Sequence, residues 1–116
     1  MEIPKEFREY SCSDYFSSNL AIEGYWDEPN QILCILPAIE VNELTDYKGQ
    51  PLNFLRVGRP GVDDISIGYR KNQSGIWAYY PILGEFQYLS GTIFDFLNSW
   101  LDGKYPCKIF ISKQNF

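Results

Sequence analysis

Residues 57–81 read VGRPGVDDISIGYRKNQSGIWAYYP. The segment opens on glycines at 58, 61 and 68 and closes on aromatics, and its reading decides the fold. A phosphate-cradling loop needs backbone amides and the N-terminus of a following helix to converge on the anion. Here the glycines lead into DISIGYR, which alternates strictly. Ile65, Ile67 and Tyr69 fall on one face, with Ser66, Gly68 and Arg70 on the other. There is no G-x-x-x-x-G-K-[ST] pattern. The loop therefore reads as a connection between strands, with Gly58 and Gly61 expected to supply positive φ. Gly68, inside a strand, points to a bulge or a close approach by helix backbone.

Working outward, LNFLRVG (52–58) precedes this connection as a strand. GIWAYY (75–80) follows it, with Ile76, Ala78 and Tyr80 opposing Trp77 and Tyr79, and EFQYL (85–89) comes next. The joints RPGVD, KNQSG and PILG are too short for parallel crossovers, so residues 52–89 form an antiparallel meander. The period then changes. Ile93, Phe94, Phe96, Leu97, Trp100 and Leu101 mark a helix with one broad apolar face. Thr92 and Asp95 have capping-box spacing, and Gly103 suits the left-handed C-terminal position. Trp100 is expected at the centre of the buried face, between helix and sheet. Upstream, residues 3–16 suggest the start of a short helix. QILCIL (31–36) reads as a buried strand, AIEVNEL as either strand or helical turn, and residues 45–51 as loop. CKIFIS (107–112) reads as a last strand.

The chain has 116 residues, 45% of them hydrophobic and 17% aromatic, which is enough for one domain over 1–116 with one core. No apolar run approaches the roughly 20 residues that cross a bilayer. The charged start MEIPKEFREY lacks an apolar signal core, so the expected location is cytoplasmic. The three cysteines, Cys12, Cys34 and Cys107, are scattered, and histidine is absent. That speaks against a metal site and against Ser-His or Cys-His catalysis. Adjacent Asp63 and Asp64 point to opposite faces of a strand and make a poor catalytic pair. No catalytic residue and no cofactor are assigned.

The net charge is −5, and it is unevenly spread. Between Glu9 and Tyr47 there is no Lys or Arg, while acids stand at Glu23, Asp27, Glu28, Glu40, Glu43 and Asp46 among others. Such a stretch repels nucleic acid and attracts a basic protein. Asp27 and Glu28, beside Pro29, read as exposed loop. Trp77 and Tyr79, with Arg70 near, are candidate interface aromatics on the sheet face away from the helix. The alternatives are a solvated acidic surface and an aromatic core.

Residues 54–103 resemble the SUKH superfamily, which holds yeast cell-wall-synthesis regulators and bacterial toxin-immunity proteins. Phe54, Leu55 and Gly58 look like its strand and glycine, and Gly61 with Asp64 like its loop. Gly75 to Tyr80 resembles the following strand, and Ser90 to Leu101 the closing helix. Ile3, Pro4 and Phe7 look like its L-P-x-x-[YF] opening. The N-G-G usual after the first helix is missing, since Asn19 is followed by Leu20 and Ala21. The resemblance implies an α+β fold: a central antiparallel sheet packed by a C-terminal amphipathic helix and a short N-terminal helix. It also implies binding instead of catalysis. The expected function is an immunity-type protein that neutralises a basic toxin domain, for instance a nuclease. The partner-binding residues would be Asp27, Glu28, Glu40, Glu43, Trp77 and Tyr79, with Gly58, Gly61, Asp64 and Trp100 structural. A stand-alone regulatory scaffold is the alternative, and a small enzyme ranks third. No nucleic-acid or membrane partner is expected.

Overall fold

The structure, a computed structural model, describes residues 1–59 and 64–103. It is an α+β fold. The meander is present as β4 (Pro51–Gly58), β5 (Ser66–Arg70), β6 (Gln73–Tyr80) and β7 (Glu85–Ser90), each pairing antiparallel with the next. Before it come β1 (Tyr25–Asp27), β2 (Ile32–Ile35) and β3 (Asn42–Thr45). The strand order is β1-β2-β4-β5-β6-β7, and β3 also pairs with β4. Strands β2 and β3 share one edge of β4, with β2 at its Gly58 end (Ile35 opposite Gly58) and β3 along Pro51–Arg56. AIEVNEL thus divides between the two readings its pattern allowed, a 3-10 turn at Ala38–Glu40 and then β3.

The helices pack on one face of the sheet. The chain starts in a 3-10 helix, Lys5–Tyr10, followed by α1 (Ser13–Phe16) and α2 (Leu20–Glu23). After β7 comes α3 (Ile93–Leu101). Leu55, Val57, Ile67, Tyr69, Ala78 and Tyr80 line the helix-facing side of the sheet. Tyr10, Tyr15, Phe16, Ile93, Phe96 and Trp100 meet them from the helices. Thr92 Oγ1 accepts from the Asp95 amide at 3.0 Å and caps α3, and Gly103 is left-handed with φ of 76°.

Two glycines work by a different route from the one expected. Gly58 lies outside the left-handed region, which the described glycines at 24, 49, 75, 84 and 103 occupy. A Cβ at 58 would sit 2.5 Å from the Cys34 carbonyl oxygen, so Gly58 serves close strand packing. Among the described residues of the β4–β5 connection, Asp64 is left-handed, with φ of 58°. At Gly68 a Cβ would collide with the Leu55 carbonyl oxygen. The backbone that approaches it belongs to β4, not to a helix, and the β5–β6 register shifts beside it. Gly61, Cys107 and the strand expected at its flank lie outside the described residues.

Asp14 ties the layers together. Its Oδ1 accepts from the Tyr69 hydroxyl at 2.7 Å, and its Oδ2 accepts from the Ile93 amide at 2.7 Å. One carboxylate on α1 thereby holds β5 and satisfies a free N–H in the first turn of α3.

Candidate functional site

The acidic stretch does not form one surface. Asp27 ends strand β1 and is only 4% exposed. Its Oδ2 accepts from the Trp100 indole N–H at 2.8 Å and from Asn30 Nδ2 at 2.8 Å. The exposed loop expected there begins one residue later, because a carboxylate is needed to satisfy the indole N–H that α3 buries. Asp27 is therefore structural and is removed from the partner-binding set.

The other acids reach solvent at different places. Glu28 is exposed in the turn after β1, and its Oε2 accepts from the Trp26 indole N–H at 2.6 Å. Glu40 is exposed beside Ile39, which is 93% exposed. Glu43, on β3, accepts from the Tyr10 hydroxyl at 2.6 Å. Burial first, and Glu43 second, hold that phenol protonated well above its ordinary range.

The aromatics lie on the sheet face opposite the helices, packed more tightly than an open groove. Phe54 is fully buried beneath Tyr79 and Phe86, with ring centroids at 6.1 and 5.6 Å. Tyr79 stacks on Phe86 at 4.9 Å and is 8% exposed, so it too is corrected from a contact residue to part of a satellite core. Trp77 is half-buried. Arg70 covers it, with its guanidinium carbon 4.7 Å from the Trp77 ring and 4.1 Å from the Phe86 ring. Tyr88 flanks Trp77 edge-on at 5.4 Å and stays about half exposed. The sequence left an exposed aromatic surface and an aromatic core open, because alternation reports which face a residue shares, not how rings close over one another.

The features that do come together lie at the β1 end of the sheet. Strand β1 is an edge, and Trp26 on it is 48% exposed. Ile22 and Glu23, both exposed, end α2 just before β1. Between this corner and α3 runs a groove of about 410 Å³, lined by Leu20, Glu23, Tyr25, Phe94 and Leu97 among others. Phe94 on its rim is 47% exposed. Sequence reasoning passed over Trp26 and placed Phe94 on the broad apolar face of α3, at whose edge it stays half exposed. The available signal for Trp26 was an indole set among Glu23, Asp27 and Glu28, where apolar alternation gives no reason for it.

The chemistry of the remaining groups is quiet. Cys12 and Cys34 are both buried, and burial pushes the Cys12 thiol up to about 11. Among the described residues no cluster of three or more metal-ligating side chains occurs, and no helix is long and apolar enough to cross a membrane. No family model matches the chain, and no curated protein or solved structure matches it either.

Proposed function

We propose that the chain is a non-catalytic protein-binding module of the immunity type, akin to the SUKH proteins it resembles, whose β1 corner covers a basic toxin domain. The observation that carries this reading is Trp26, half exposed on an edge strand and oriented by Glu28, within a segment that has acids but no Lys or Arg from 9 to 47. Exposed indoles anchor interfaces, and the acids around this one would draw a cationic surface toward it. The groove against Phe94 offers an apolar floor beside the charges.

The test starts from the native cell, with the protein as bait beside two variants, Trp26→Ala and Glu23→Lys/Glu28→Lys. A specific partner should be retained by the wild type and lost by both variants. With the purified partner, association should slow as salt rises, since screening acts within about 8 Å at physiological ionic strength. The charge-reversed variant should associate more slowly and lose that salt slope, while Trp26→Ala should mainly speed dissociation. Expression of the partner alone should arrest growth, and co-expression of this protein should restore it. A partner held equally by all three proteins defeats the β1 corner as the interface. A partner harmless to the cell defeats the immunity role and favours a regulatory scaffold.

A further inference from the structure

Beside the β4–β5 connection, several polar side chains gather in a pocket with a partly apolar lining. Ser66 and Tyr79 are opposite each other across β5 and β6, and Arg56 lies opposite Gly68 across β4 and β5. The three side chains therefore project from the same sheet face, the one the helices leave uncovered. Arg59 and Asp64 reach in from the two ends of the connection. With Leu44, Thr45 and Pro81 they line a half-open cavity of about 220 Å³.

Its polar groups are unfulfilled. Ser66 is 4% exposed, yet its hydroxyl makes no hydrogen bond with any described residue. Tyr79 as a residue is 8% exposed, and its hydroxyl makes none either. A buried hydroxyl without a partner is costly, and native structures rarely hold two in one place without a use. Arg56 commits Nε and Nη2 to Asn42 Oδ1, at 3.2 and 2.9 Å, and its Nη1 has no acceptor among the described residues. Neither Arg56 nor Arg59 is in a salt bridge there. Burial, and then the charge of Arg59, weaken the hold of Arg56 on its proton, while Glu40 and Asp64 offset this only in part.

We propose that this pocket binds a small carboxylate that also carries a hydroxyl or ammonium group. The carboxylate would take the guanidinium forks of Arg56 and Arg59, whose planar geometry suits it, together with the hydroxyls of Ser66 and Tyr79. Asp64 decides against a dianionic phosphate, which it would repel, and accepts instead from the hydroxyl or ammonium of the ligand. The site is independent of the β1 corner.

The probes are glycolate, glycine, acetate and inorganic phosphate, titrated into the isotope-labelled full chain and followed by amide chemical shifts. Glycolate or glycine should give saturable shifts centred on Ser66 and Tyr79, with acetate weaker and phosphate weakest. Ser66→Ala is the informative variant, because its hydroxyl bonds no described residue. It should keep its melting temperature and bind about tenfold or more weakly. Arg59→Gln should do the same. Asp64→Gly, which removes the acceptor and tolerates the left-handed φ of 58°, should erase the preference for glycolate over acetate. Absence of saturable shifts with all four probes overturns the proposal, as does undiminished binding in Ser66→Ala and Arg59→Gln. Tighter binding of phosphate than of glycolate overturns the assignment of the ligand class.

Discussion

At the scale of single residues, Asp27 and Glu28 show how neighbours in sequence come to opposite fates. Both are acids beside a proline. Asp27 is the acceptor for the buried Trp100 indole, whereas Glu28 merely steadies the exposed Trp26. Asp27→Lys removes that acceptor and pushes an ammonium against the α3 core. It should cost at least about 3 kcal/mol, a large share of a small domain's stability. Glu28→Lys should leave the melting temperature nearly unchanged. Urea denaturation of the two variants separates them. Equal stabilities would mean that the Asp27–Trp100 contact is not part of the folded core.

At the scale of elements, α3 is a nine-residue helix whose start is held twice. Thr92 caps it locally, and Asp14 reaches its first turn from α1 across a sequence separation of 79. A lost local cap costs about 1 kcal/mol, while a lost charged hydrogen bond costs about 1.5–3 kcal/mol. Thr92→Ala should therefore be the milder change. Asp14→Ala should be the more severe, because it also strips the Tyr69 hydroxyl of its acceptor inside the core. Hydrogen exchange provides the check. Amides of α3 should lose protection in both variants, whereas those of β5 should lose it only in Asp14→Ala.

At the scale of the whole molecule, the core is built with groups that must stay neutral. Burial is the first cause that raises the phenols of Tyr10, Tyr15 and Tyr69. Glu43 adds to it at Tyr10 and Asp14 at Tyr69. The Cys12 thiol moves from 9.0 to about 11. Because each folded value lies above the unfolded one, the folded state holds these protons more tightly. The stabilisation is complete below about pH 9 and is lost as pH rises, from Cys12 first and from the phenols above their ordinary value of 10.0. Unfolding free energy should thus be level from neutrality to about pH 9 and fall steeply beyond pH 10. Tyr69→Phe, although less stable at neutral pH, should show a shallower alkaline fall. A stability that stays flat to pH 11 would place these groups in solvent.

The meander and α3 were legible because their signals are local. Alternation over DISIGYR and GIWAYY, short joints that forbid crossovers, and the spacing of Phe96, Leu97 and Trp100 each act within a few residues. The binding surface was less legible. Asp27 and Tyr79 have the residue types of an interface, but burial depends on what the fold brings from elsewhere: α3 onto Asp27, and Phe54 and Phe86 onto Tyr79. The same holds for the roles of Gly58 and Gly68, which neighbouring strands decide by leaving no room for a Cβ. The sequence by itself determined the order of elements and the face each residue shares, since backbone geometry makes those periodic. The tertiary structure alone decided which polar and aromatic groups reach solvent, because solvent access is set by contacts between residues far apart in the chain.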